Sequence, residues 1–258
     1  MTYAKDIEVR GELARGIIVD ERDYVSSLMT SIRRESMQLG LSVSLQSQQL
    51  PSRSERMFGC DGVVSIFNEL GVKFLLFEAK WPRLGTSGYP WDYLQSSGIS
   101  HFTDQIRRQN AAVSFAAVVE LFIVELHVGT KIGNFDSEGS TLISHFDAHD
   151  YDDQTRKMPH IPWTQENVKQ MVRQKHPYNM RTIVQCIGEC NLGVLHRRED
   201  NQVVIEEQEN VHEISLEQIL GRGPEVVAER LLEIGFPFSL AINVPQSDLV
   251  EEIRTISV

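Results

Sequence analysis

Only three cysteines, Cys60, Cys186 and Cys190, occur in 258 residues. That scarcity excludes a disulfide-stapled scaffold and points to free thiols in a reducing compartment. Cys186 and Cys190 stand four apart, the wrong interval for a zinc knuckle, and only Cys60 is left to complete a ligand set. Long apolar runs are missing too: no segment reaches the length of a membrane-spanning helix, and no basic-then-apolar leader opens the chain. These absences predict a soluble, cytoplasmic protein with no membrane partner. Positive charge is in short supply, with 25 Lys and Arg against 36 Asp and Glu and a formal net charge of −11. A chain of that sign repels nucleic acid as a whole, so DNA must be gripped by local basic pairs or delivered by a partner protein or a second copy. Internal repeats and low-complexity tracts are absent as well.

What the chain does have is 41% hydrophobic residues, enough for one ample core or two small ones. The most informative segment is Val72 to Lys80, an apolar run that ends abruptly in Glu78-Ala79-Lys80. In a strand, alternate side chains share a face, so Glu78 and Lys80 project together with Ala79 opposite. A strand this apolar belongs inside a sheet, where ionised groups are costly unless paired or bound to metal. Upstream, Asp61 to Phe67 is β-prone and Asn68 to Gly71 supplies turn chemistry. A hairpin that pairs Phe67 with Val72 sets Asp61 directly across from Glu78, with Cβ atoms roughly 5 Å apart. Carboxylates that close repel each other unless one holds a proton or a divalent cation lies between them. Their oxygen donors suit Mg²⁺, with Mn²⁺ as a substitute.

The Asp61…Glu78-Ala79-Lys80 arrangement resembles the PD-(D/E)xK nuclease superfamily, which includes type II restriction endonucleases and many antiviral nucleases. The resemblance implies an α/β fold of restriction-endonuclease-like type, a mixed central β-sheet flanked by helices. It implies that Asp61, Glu78 and the Ala79 carbonyl hold Mg²⁺ while Lys80 assists attack of water on a phosphodiester. Gly59-Cys60 stand where the family's name places a proline, a position that varies among members. Two further family features find counterparts. Residues 20 to 40 read as a helix with Asp20 as N-cap and Gly40 as stop, and Glu21, Val25, Leu28, Ile32 and Glu35 share one face. The family's helical metal-side Glu resembles Glu21, with Glu35 second; the plain alternative is that Glu21 favours a helix N-terminus. A second helix is expected from Ser100 to about Ala117, and its Gln105, with Gln109 one turn on, resembles the family's glutamine near the metal; two solvated polar residues are the alternative. Residues 118 to 126 read as a further buried strand.

The resemblance covers about residues 20 to 127, so residues 1–128 are expected to form the nuclease core. Residues 129–258 would be a C-terminal α+β elaboration packed on it, unless the whole chain is a single domain. Within that part, Gly129 to Pro162 reads as linker-like and Trp163 to Lys175 as a helix. Residues 182–187 and 202–206 read as strands, 217–221 and 224–235 as short helices, and 238–244 as a last strand. His145 and His149 have the spacing to share a metal from one helix face, but the HExxH glutamate is missing and the following aspartates suit a solvated surface. Arg83, Arg107 and Arg108 are candidate DNA contacts, and Arg33-Arg34 and Arg197-Arg198 could join them along one cleft. The aromatic segment Trp81 to Ser100, with Tyr89, Trp91 and Tyr93, suits a loop touching nucleic acid, or else core packing.

The expected function is a Mg²⁺-dependent DNA endonuclease, the effector of an antiphage defence system working with a partner protein. A stand-alone type II restriction endonuclease is the nearest alternative. The alternative of another class is a non-catalytic binding or assembly subunit in which Glu78 and Lys80 form a structural ion pair.

Overall fold

The computed structural model describes residues 1–39, 44–50, 52–67, 71–82, 89–124, 139–189, 191–199, 202–207 and 210–215. Two helices lead: α1 (Thr2–Ala14) and α2 (Glu21–Leu39). Asp20 caps α2 by accepting from Asp23 N at 2.8 Å, and Tyr24, Val25, Leu28, Met29 and Ile32 form its buried stripe. There follow β1 (Ser44–Gln49), α3 (Ser52–Phe58), β2 (Gly62–Phe67) and β3 (Gly71–Lys80). After an irregular segment come α4 (His101–Gln109), β4 (Ala117–Phe122), β5 (Thr141–Ser144) and α5 (His145–Asp150), which runs into a π-helical turn at Tyr151–Arg156. The described chain then adds α6 (Gln165–Gln174), α7 (Met180–Gly188), β6 (His196–Glu199), β7 (Gln202–Glu207) and β8 (Asn210–Ser215).

All eight described strands join one mixed sheet flanked by helices, and β3 is its axis. Every β3 residue is buried, as its unbroken apolar run requires. One edge pairs antiparallel with β2. The other edge is divided: Gly71 and Val72 pair with β6, whereas Leu75 to Lys80 pair in parallel with β4. β5 extends the sheet beyond β4, and β7 and β8 continue it beyond β6. Leu75, Phe77 and Ala79 face one core with α1, α2 and α7, while Phe74 and Leu76 face a second with Phe58 of α3 and Phe115. A third apolar cluster joins Phe102 and Ile106 of α4 to Phe122, Tyr151 and Trp163.

Three sequence expectations need correction. The segment expected to be linker-like carries β5, α5 and the π-helical turn among its described residues. Its short strand Thr141–Ser144 is buried throughout, and the Gly, Ser and Asp content masked so brief an apolar signal. Residues 182–187 are not a strand but lie within α7. There the β-branched residues sit at helical spacing, with Met180, Ile183 and Ile187 inward, and Asn179 and Thr182 close a capping box. Helix α4 ends at Gln109 rather than near Ala117, because turns at Ala111, Ala112 and Phe115 bring the chain into β4. Gly40 and the elements expected at 217–221, 224–235 and 238–244 lie outside the described residues.

Candidate active site

The site forms where the C-terminal ends of the parallel strands β3 and β4 meet the first turns of α4. Between β2 and β3 the register pairs Phe67 with Val72 and Gly62 with Phe77, as the hairpin reading requires. Asp61 enters just before β2, its N–H donating to Phe77 O at 2.8 Å. Its carboxylate turns toward β3: Oδ2 accepts from Ala79 N at 2.7 Å, and the Glu78 carboxyl is near enough to push the Asp61 pKa up. Two residues before it, Gly59 adopts φ 61°, and a Cβ there would stand 2.6 Å from Gln105 O. Only glycine lets the entry to β2 pass so close under α4.

Glu78 and Lys80 share a face, as alternation dictates, and both are buried. Lys80 Nζ donates to Glu78 Oε1 at 2.8 Å and to Gln105 Oε1 at 2.5 Å. The Gln105 amide Nε2 donates in turn to Glu78 Oε1. The ammonium also rests 4.9 Å from the centre of the Phe102 ring, a cation–π contact on the helix that supplies Gln105. Glutamine, glutamate and lysine therefore form a closed triangle, while Glu78 Oε2 has no hydrogen-bond partner.

A third carboxylate was overlooked in the sequence. Glu120 on β4 pairs in register with Glu78 and is fully buried, with the Gln109 side chain near enough to favour its charged form. The signal was present, since one acidic residue inside the apolar run 118–124 obeys the logic that singled out Glu78. Burial drives the Glu120 carboxyl up to about 8 against the pull of Lys80. Burial, with Glu21 adding, raises Glu78 to about 7, again against Lys80. Asp61 is pushed well above the usual carboxylate range by burial and then by Glu78. For Lys80, burial works against the charge, but Glu78, Glu21 and Asp61 outweigh it and hold the ammonium above its ordinary value.

Once deprotonated, the three carboxyls outnumber the one ammonium, and a cation would relieve that excess of negative charge. Among the described residues no three His, Cys, Asp or Glu side chains form a ready metal cage. Asp61 and Glu78 supply two carboxylates and β3 a nearby backbone carbonyl, a donor set that hard cations complete with water. The unpartnered Glu78 Oε2 and the raised carboxyls fit such a group. Glu21 lies close by: its Oε2 accepts from Trp81 N at 2.8 Å, and with Asp61, Gln49 and Glu55 it lines a cavity of about 90 Å³. Glu35 does not reach the site, pairing instead with Lys5 of α1 at 3.3 Å.

The basic residues divide. Arg107 is exposed on α4 beside a surface cavity of about 240 Å³ that Lys157 and His149 also line. Arg108 ties α4 to α3 by donating to Arg56 O and pairing with Asp104 at 3.2 Å. Arg33 donates to Ser47 O. Arg197 pairs with Gly71, about 23 Å along β3 from Glu78, so among the described residues it does not share a cleft with the site. Arg83 lies outside the described residues. The His145–His149 pair is no metal site: His145 is buried, with Nδ1 on Gln109 Oε1 at 2.9 Å and Nε2 on the Asn110 amide at 2.8 Å. Burial and then His149 hold its pKa at about 3. A neutral ring carries one N–H, so the Asn110 amide must present its nitrogen to the other.

No protein-family model matches the chain, and comparison with curated proteins and with solved structures finds no significant match.

Proposed function

We propose that this chain is a divalent-metal-dependent DNA endonuclease with a restriction-endonuclease-like core. The observation that carries the reading is the convergence of Asp61, Glu78 and Lys80 at one strand end: Asp61 Oδ2 accepts at 2.7 Å from the N–H of Ala79, which stands between Glu78 and Lys80 in sequence, and the ammonium lies 2.8 Å from the Glu78 carboxyl. Asp61, Glu78 and the Ala79 carbonyl would hold Mg²⁺, for which Mn²⁺ substitutes, with Glu21 at the margin. When bound, the cation supplies Lewis-acid polarisation of a phosphoryl oxygen and a more acidic water. Gln105 orients Lys80, whose ammonium balances negative charge gathering on the phosphoryl oxygens as water attacks in line. Phe102 and the buried strand ends limit bulk water around that charge.

The net charge of −11 supports a further step. An acidic nuclease suits an effector that a partner protein brings to DNA, as in antiphage defence. The test is incubation of purified protein with plasmid DNA, with and without Mg²⁺, beside Lys80→Ala. Mg²⁺-dependent nicking or linearisation that Lys80→Ala abolishes is expected; equal cleavage by the variant removes the assignment. Discrete fragments from the protein alone would favour a stand-alone restriction enzyme over a partner-dependent effector.

One observation favours a second reading. The buried Glu78–Lys80 pair, tied by Gln105, is also what a structural ion pair looks like. A non-catalytic binding subunit built this way would take up no Mn²⁺ through Asp61 and Glu78, whereas the nuclease must.

A further inference from the structure

Gln105, which orients Lys80, has a neighbour one helical turn earlier: His101, the first residue of α4. The His101 ring is stacked on Tyr93, with ring centroids 4.5 Å apart and planes 17° from parallel. Tyr93 is 39% exposed. One turn is 5.4 Å of helix, so this aromatic stack stands beside the group that holds the ammonium, and Lys80 is close enough to influence the His101 charge.

The pair is held in place by an unusual amount of buried polar structure. Asp92 is 4% exposed. Its Oδ1 accepts from Tyr93 N at 2.7 Å and Phe102 N at 2.9 Å, and its Oδ2 from Ser100 Oγ at 2.6 Å and Trp163 N at 2.8 Å. His101 N donates to Tyr93 O at 2.9 Å, and Leu94 bridges to Ser100. One buried carboxylate thus locks the segment carrying Tyr93 onto the helix start carrying His101, fixing two partly exposed rings in parallel. Core packing does not explain this, since Trp91, two residues from Tyr93, fills the apolar cluster beneath. Burial and the Lys80 charge keep His101 neutral near pH 7, so the solvent-exposed side of the stack is aromatic and stands beside a cation.

We propose that the Tyr93–His101 stack is a platform for an unpaired nucleobase next to the cleaved phosphate, so that the substrate is single-stranded DNA or DNA with a displaced base. This rests on the nuclease reading and supplies its substrate class. Aromatic faces bind bases by stacking without regard to sequence, whereas the paired bases of an intact duplex offer no such face. A base on the neutral rings directs its own phosphate toward Lys80 and the carboxylates.

The experiment measures binding of a short fluorescein-labelled single strand, and of the same sequence as duplex, to the full chain with Ca²⁺ in place of Mg²⁺. A 2-aminopurine strand reports stacking by loss of fluorescence. The single strand should bind more tightly than the duplex. Tyr93→Ala and His101→Ala should weaken single-strand binding roughly tenfold and abolish the quench, Tyr93→Phe should retain both, and thermal melts should show all three variants folded at the assay temperature. Single-strand binding no tighter than duplex binding, or unchanged by Tyr93→Ala, overturns the proposal. The plasmid assay separates the two readings. Mg²⁺-dependent cleavage without the quench leaves the nuclease and removes the platform, while a quench with no cleavage under any condition leaves a single-strand binder and removes the nuclease.

Discussion

Glu78 and Glu120 stand side by side on parallel strands, in register and on one face, and Glu78 Oε2 has no hydrogen-bond partner. Both carboxyls are raised, to about 7 and about 8. The folded state therefore binds protons that the unfolded chain releases near pH 4.5. Their contribution to stability is fully present below that value and is lost as pH rises through 7 and 8. In EDTA, the melting temperature should fall between about pH 5 and about pH 8.5, and Glu120→Gln should flatten that slope. An unchanged slope in the variant would show that Glu120 does not hold its proton.

A cation reverses this dependence, because it binds the deprotonated carboxylates and displaces their protons. Mn²⁺ should raise the melting temperature more at pH 8 than at pH 6, and calorimetry in buffers of different ionisation enthalpy should detect proton release. Asp61→Asn and Glu78→Gln should each remove the stabilisation. Equal thermal shifts for these variants and the parent would place the cation elsewhere.

Lys80 and Gln105 should separate by degree. Lys80→Ala removes the charge that faces the reacting phosphoryl group, and cleavage should fall roughly 100- to 1000-fold. Breaking a buried ion pair from one side typically costs about 3–5 kcal/mol, but Glu78 is already poised to accept a proton, so the loss of stability should be smaller. Gln105→Ala leaves the ammonium on Glu78 and frees only its orientation, so cleavage should drop less than with Lys80→Ala. Single-turnover rates and thermal melts measured together decide both points.

Arg107 and Arg108 are neighbours with opposite expectations. Arg107 is exposed, so Arg107→Ala should leave the melting temperature unchanged and weaken DNA binding, lowering the salt slope by about one. Arg108 holds the Arg56 carbonyl and Asp104, so Arg108→Ala should destabilise the protein first. DNA titrations at several salt concentrations, run beside melts, test the pair.

The β2–β3 register was legible because one turn and one apolar run fix it, and period-two alternation then carried Glu78 and Lys80 to one face. The Asp20 cap was equally local. Glu120 shows in the sequence as an acid inside an apolar run, but its place beside Glu78 depends on β4 lying parallel to β3, a pairing made across the whole of α4. The Asp92 clamp on Tyr93 and His101 was hidden for the same reason: its four donors come from residues 93, 100, 102 and 163. Helix α7 was misread because Thr182, Ile183 and Val184 have strand propensity, which capping and an apolar stripe overrode.

His145 adds a pH dependence of the opposite sign. Its pKa is held at about 3 by burial and by His149, so the unfolded chain takes up a proton near pH 6.5 that the folded protein refuses. Stability from this group is intact above pH 6.5 and falls as pH drops toward 3, by about 1.4 kcal/mol for each unit between the two pKa values at most. His101, lowered to about 4 by burial and then Lys80, acts in the same direction, so the two histidines together offset the two raised carboxyls and stability in EDTA should peak at about pH 5 and fall on both sides. His145→Gln keeps a polar group near Gln109 and Asn110 but cannot titrate. It should lower stability at pH 7, where the fitted imidazole contacts are lost, yet flatten the acid limb and shift the maximum to lower pH. Melts of the parent and His145→Gln across this range provide the check, and an acid limb of the same steepness in both would assign the loss to another group.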